Sequence, residues 1–201
     1  TRGYMPQKAR GPSSREACLS DEAEVLRQVL DGIPVVVNPD RYQGGLQAIK
    51  KYAPDVIILD DGFQHWRLFR DLDIVLVDSV HPFGNGRLLP RGILREGPSS
   101  LRRAGLVILT KTDRGEVSEL KKKLKSICPH VPVVETVHRP VSLTNMFTKS
   151  FVQVAKLNQA VVAFCGLGDP MSFRATLASL GTDVKEFIPF ADHHDYSIRD
   201  M

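Results

Sequence analysis

No GxxxxGK[ST] occurs anywhere in these 201 residues, so no Walker-type phosphate loop lies in the chain and no single motif establishes nucleotide binding. Nor does any apolar run approach the roughly 20 residues that a membrane-spanning helix needs. Membrane contact is therefore expected to be peripheral or to lie outside this chain. Cysteine is scarce: Cys18, Cys128 and Cys165 are widely spaced, odd in number and never arranged as CxxC. That excludes a disulfide framework and a zinc knuckle, and a reducing compartment fits best. The start, TRGYMPQKARG, has neither an initiator Met nor a signal-peptide pattern. The end, DHHDYSIRDM, opens like a helix with Ser197 as candidate N-cap and then stops. Both termini are expected to be cuts in a longer protein.

What is present suffices for a substantial core: 42% of the residues are hydrophobic and 25% charged, enough for one large domain or two small ones. The net charge of +4 is too small to indicate nucleic acid. It suits an acidic substrate or an anionic membrane surface. Apolar runs rich in Val and Ile recur at Pro34 to Val37, Val56 to Leu59, Asp73 to Val77, Leu106 to Leu109, Val131 to Val134 and Ala160 to Phe164. They are uninterrupted, as expected of strands covered on both faces. Helical spacing fills Glu22 to Leu30, Gln43 to Tyr52, Glu116 to Ile127 and Pro170 to Leu180. This alternation predicts a parallel α/β sheet flanked by helices with right-handed crossovers.

Two stretches break the rhythm. Ser79 to Ser100 is too long and too rich in Gly and Pro for a simple connector, and long ordered loops are usually functional. His138 to Gln159 has the look of a β-type linker. We therefore expect a core over residues 1–137, a linker over 138–159 and the start of a second, smaller α/β portion over 160–201.

The strongest chemical signal is VIILDDGFQHWRLFRD. An apolar strand ending in Asp60 and Asp61 aims both carboxylates at the edge where open α/β sheets bind ligands, and such an Asp can hold Mg²⁺ against phosphate. A plain DDG turn competes evenly with that reading until Gln64 and His65 are considered. Asp21 and Glu22 open the first predicted helix. The residues alone favour Asp21 as an N-cap in a capping box with Glu24, with a general base as the alternative. In FADHHDYS, a His flanked by carboxylates is an acid-base or metal-ligand candidate, because a neighbouring carboxylate raises its pKa and fixes its tautomer. FGNGRLLPRGILREG presents Arg87, Arg91 and Arg95 on a constrained backbone, a candidate anion site. Lys121, Lys122, Lys123 and Lys125 read instead as a solvated helix face. LTKTD shares four letters with the base-reading NKxD of GTPases, too few for an assignment, and the GLGDP turn at Gly166 to Pro170 could hold an anion at a helix start.

Taken in order, RGY, SDE, NPDR at Asn38 to Arg41, LDDGFQH, FGNGRLLPRGILREG, GLGDP and FADHH resemble the pattern of the tetraacyldisaccharide 4'-kinase family over almost the whole chain. The resemblance implies a P-loop NTPase-like fold. It also implies transfer of the ATP γ-phosphate to the 4'-hydroxyl of a tetraacyldisaccharide 1-phosphate, giving lipid IVA, at the cytoplasmic face of the bacterial inner membrane. By motif it places Mg²⁺ at Asp60 with Glu22, the base at Asp21 and its partner at His193. Substrate contacts fall to Arg41, Asp61, Gln64, His65, Arg87, Arg91 and Arg95. The family's phosphate loop and an apolar N-terminal membrane-binding helix lie upstream of the RGY segment, so the chain alone is expected to be nearly inactive. Two rival readings of the residues are a metal phosphoesterase using the DD and DHH carboxylates and histidines, and a non-catalytic nucleotide- or lipid-binding module.

Overall fold

The computed structural model describes residues 21–145, 147–154, 159–192, 194, 196, 197 and 200. They fall into two compact units, Thr1–Thr136 and Val137–Met201.

The first unit begins with helix α1 (Asp21–Val29) and helix α2 (Arg41–Tyr52). The NPDR segment explains where α2 starts. The Asp40 carboxylate accepts from the backbone N–H of Tyr42 at 2.9 Å and of Gln43 at 3.2 Å, satisfying two donors the helix cannot pair internally. Asp40's own N–H donates to the Asn38 side chain at 2.9 Å. The helix stops where Ala53 turns left-handed (φ 44°) and its N–H returns to Ile49 O, just before Pro54.

Strands β1 (Ile74–Asp78), β2 (Leu106–Thr110) and β3 (Val133–Glu135) form a parallel sheet in the order β1-β2-β3. Ile74 pairs with Leu106 and Val107 with Val133. A 3₁₀ turn (Pro98–Arg103) leads into β2, and helix α3 (Val117–Ile127) crosses from β2 to β3. Val107 and Leu109, two apart on β2, are both 0% exposed, as is Leu124. Period two on the strand and the i, i+4 pair Leu120 and Leu124 on α3 bring these side chains to one interface, joined by Val77, Phe83, Leu101, Ala104 and Cys128. Burial pushes the Cys128 thiol above its usual range, with Arg102 opposing, so this cysteine is an inert part of the core.

Two expected strands are not strands. Pro34 to Val37 and Val56 to Leu59 run without ladder partners among the described residues. Ile58 is 91% exposed. An apolar run reports that a segment suits a sheet, but a strand exists only where a neighbour accepts its hydrogen bonds. For the same reason β1 is not covered on both faces: its Ile74 and Leu76 stay exposed. α1 also shifts the capping expectation. Asp21 is the first residue of the helix itself, and Glu24 receives the Gln28 amide at 3.1 Å instead of reaching back to a cap.

In the second unit, β4 (Ser142–Thr144) and β5 (Phe151–Gln153) pair antiparallel. β6 (Ala160–Cys165), helix α4 (Pro170–Ser179) and β7 (Asp183–Pro189) make a parallel βαβ unit with a register shift between Val161 and Val162. The sequence reading had no strand at β7, whose Lys185 and Glu186 interrupt its apolar positions.

Candidate functional site

The acidic segment Asp60–Asp61 is a turn at the end of an extended apolar run. Asp61 sits in the left-handed region (φ 52°), a conformation Asp tolerates better than most residues. Gly62 leaves room beside it for the Leu59 side chain, whose Cδ2 atom would lie 2.6 Å from a Cβ and would have to shift. His65 N–H closes the turn on Gly62 O at 2.9 Å, so His65 and Gln64 are held directly beyond the carboxylates.

The two aspartates differ in their surroundings. The Asp61 carboxylate accepts from Arg95 at 2.6 Å, both side chains being more than half exposed. Such an exposed pair contributes about 0–1 kcal/mol, and it engages with each other two groups that the sequence assigned to substrate. Asp60 is exposed and has no ion pair among the described residues. Its carboxylate is the one left open.

The arginine loop has a built geometry. Gly84 (φ 52°) and Gly86 (φ 71°) reverse the chain, and the Asn85 side chain bridges the loop, donating to Arg91 O at 2.7 Å and accepting from Arg87 N–H at 3.1 Å. Leu89 N–H reaches Leu94 O at 2.9 Å. Gly92 admits no side chain, since a Cβ would stand 2.1 Å from Arg87 O. The side chains of Arg87 and Arg91 remain exposed and pair with no acid among the described residues, so the constrained loop keeps two of its three guanidinium groups open.

Residues that the sequence reading passed over tie this loop to the acidic turn. Glu96, next to Arg95, takes two hydrogen bonds from Arg103 at 2.9 and 3.2 Å. The Arg103 hydrogen bond holds the Glu96 carboxyl below its usual range against the opposing effect of burial, with help from hydrogen bonds of Trp66 and Gln64. Arg70 secures the other side, pairing with Asp73 at 2.6 Å and donating to Leu68 O at 2.8 Å and to His65 O.

A second missed feature stands where β1 and β2 end side by side. Asp78 accepts from Lys111 Nζ at 2.7 Å and from the N–H groups of Val80 at 2.8 Å and His81 at 3.4 Å. Burial pushes the Asp78 carboxyl up, but the Lys111 hydrogen bond and the two backbone donors outweigh it and leave it below its usual range. Lys111, the lysine of LTKTD, is thus a structural partner here, in a left-handed conformation (φ 56°). The strand-ending pattern IVLVD could have drawn attention to Asp78 from the sequence.

The remaining expectations divide. Arg41 turns back on its own cap and donates to Asn38 O at 2.7 Å, a contact within NPDR. Asp21 and Glu22 are the first two residues of α1; His193 lies outside the described residues. The GLGDP turn joins β6 to α4, and Asp169 occupies the helix start by accepting from Ser172 N–H at 3.1 Å, taking a donor that an anion would use. Gly166 packs against Ala191, His194 and Tyr196, where a Cβ would meet Ala191 O at 3.1 Å and His194 N at 3.2 Å. His194 stacks on Phe190 with ring centroids 4.5 Å apart and lies 3.3 Å from the Asp200 carboxylate. On α3, Lys121 pairs with Glu135 and Lys122 with Glu119, while Lys123 lies over the Phe83 ring, so that face is only partly a free solvated one.

Among the described residues no group of three or more His, Cys, Asp or Glu could cage a metal. Mg²⁺ on a nucleotide does not need one: it is bound by one or two carboxylates, with phosphate and water filling its octahedron. One open carboxylate on a fixed turn fits that chemistry.

A family model described as tetraacyldisaccharide-1-P 4'-kinase, LpxK, matches residues 1–201. The chain belongs to the LpxK family. The tetraacyldisaccharide 4'-kinase of Syntrophus aciditrophicus is 40% identical over 191 residues, 90% of this chain and 51% of that protein. The protein of the same name from Geobacter metallireducens is 40% identical over 177 residues, 88% of this chain and 50% of its own length. A crystal structure of LpxK from Aquifex aeolicus in complex with ATP shares the fold, with a TM-score of 0.67 and 36% identity over 89% of this chain and 54% of that one. This LpxK-family chain thus spans about half the length of the curated relatives it matches, and its fold is α/β with parallel sheets flanked by helices.

Proposed function

We propose that this LpxK-family chain is the part of an ATP- and Mg²⁺-dependent 4'-kinase that carries its acidic turn, acting on a tetraacyldisaccharide 1-phosphate to form lipid IVA. The observation that carries the reading is the unequal aspartate pair: Asp61 is held by Arg95 and Asp60 is left open. Asp60 would hold Mg²⁺, with Glu22 as a further candidate ligand; when bound, the ion neutralises triphosphate charge. His65, beyond the turn, and Arg87 and Arg91, on their braced loop, offer donors to the phosphate or sugars of the acceptor. Asp61 and Arg95 shape that wall as a pair, Gln64 stands on the turn as a further substrate contact, and Arg41 acts through the NPDR cap. Asp21 takes the proton of the 4'-hydroxyl, whose oxygen attacks the γ-phosphorus in line as ADP leaves. His193 is the second acid-base residue. The motif order in the sequence supports both assignments.

The site of action we propose is the cytoplasmic face of the bacterial inner membrane, held peripherally. No helix of the described residues is long and apolar enough to cross a membrane, and the positive net charge of +4 favours an anionic surface. The test is transfer of labelled γ-phosphate from ATP to the disaccharide lipid by a protein of family length containing this chain. Asp21→Ala and His193→Ala should each lower kcat by about 10²-fold or more. Wild-type turnover in both variants would sink the acid-base assignment, and phosphate release from the lipid without ATP would favour a phosphoesterase instead.

A further inference from the structure

We infer that Arg103 is a positioning residue for the acidic turn at Asp60, acting through Glu96 and through the rings of Phe63 and Trp66; this rests on the reading of Asp60 given above. Arg103 closes the 3₁₀ turn Pro98–Arg103. Its guanidinium carbon lies 4.5 Å from the Phe63 ring centroid and 4.9 Å from that of Trp66. Two of its N–H groups meanwhile meet both Glu96 oxygens, at 2.9 and 3.2 Å. A planar guanidinium can do both at once, offering its edge to a carboxylate and its faces to aromatic rings. An ammonium cannot.

The contacts converge on one turn from two directions. Phe63 and Trp66 lie on the chain leaving Asp60, and the Arg103 guanidinium lies over both of their rings. From the other side, Glu96 follows Arg95, which grips Asp61 at 2.6 Å. Removing the guanidinium therefore unlinks the Phe63 and Trp66 rings from Glu96 and leaves the exposed Arg95–Asp61 pair as the remaining tether of a turn whose open carboxylate must meet a ligand. Glu96 is the more enclosed partner, its side chain 18% exposed against 37% for Arg103, so the anchor is fixed and the arginine closes over it. Arg102, its neighbour, turns away and donates to Ile127 O at 2.8 Å. It serves as the internal control.

The chain has one tryptophan, Trp66, so its fluorescence reports the contact directly. Trp66 is 71% exposed, so the readout is its emission and near-UV circular dichroism: in this chain, Arg103→Ala should change both, Arg103→Lys should do the same, and Arg102→Ala should leave both unchanged. In a family-length protein, both Arg103 variants should lower kcat about 10- to 100-fold, as loss of groups supporting a metal ligand does. They should also raise the Mg²⁺ concentration at half-maximal rate, with the KM for the lipid unchanged. A purely structural arginine would reduce the active fraction without moving the Mg²⁺ requirement. An unaltered Trp66 signal in Arg103→Ala overturns the contact, and an unaltered Mg²⁺ requirement overturns the positioning role. A wild-type protein that transfers no phosphate overturns the kinase reading instead, and the positioning role with it.

Discussion

Replacing Asp78 by Asn removes a charge while keeping an oxygen that can still accept from Val80 and His81, so it isolates the pair with Lys111. That pair is 2.7 Å long, with the Lys111 side chain 17% exposed and the Asp78 side chain 35% exposed. A hydrogen bond between charged groups contributes about 1.5–3 kcal/mol, and partial exposure of the carboxylate lowers this to about 1–2 kcal/mol. The sign with pH follows from the depressed Asp78 pKa. Its ordinary value is 3.8 and its folded value lies below that. The stabilisation is therefore complete above the ordinary value and is lost as pH falls through the folded one. Urea unfolding at pH 7 and at about pH 2–3 should show Asp78→Asn less stable than wild type by that margin at the higher pH and by much less at the lower. Glu96 is present in both proteins and cancels. A difference below about 0.3 kcal/mol at pH 7, or one that stays constant down to the lower pH, would refute the argument.

Other predictions follow from single contacts. Leu109→Ala empties a site that is 0% exposed and should cost about 2–5 kcal/mol in urea unfolding. Gly92→Ala places a methyl 2.1 Å from Arg87 O, so it should open the arginine loop, seen as faster proteolysis between residues 84 and 96. Arg95→Ala breaks an exposed pair and should change stability by less than about 1 kcal/mol. A large rise in the lipid KM in that variant, measured by phosphate transfer, would show that Arg95 itself grips substrate.

Much of the fold was legible because apolar runs and helical spacing are local signals. β1, β2, β6, α3 and α4 lie close to where those patterns place them. Val56 to Leu59 carries the same signal and is no strand, because pairing depends on a neighbour the run does not encode. β7 was missed because Lys185 and Glu186 break its apolar pattern. At LDDGFQH the sequence favoured carboxylates at a strand end over a plain turn, and the structure has the turn, at the end of an extended run with no ladder partner among the described residues. Which of its aspartates is open was not legible, because Arg95 pairs with Asp61 from 34 residues away. Arg103 and Glu96 were invisible for a related reason: a guanidinium that meets two rings and a carboxylate is a tertiary arrangement, with no spacing of its own in the sequence.

The claim at the centre of the account is that Asp60, left open by the Asp61–Arg95 pair, is the carboxylate that meets the metal. The most direct measurement is the Mg²⁺ dependence of γ-phosphate transfer by a family-length Asp60→Asn protein. The account predicts a half-saturating Mg²⁺ concentration raised about 10-fold or more, in the range seen when groups supporting a metal are lost. A wild-type Mg²⁺ dependence in that variant would contradict it.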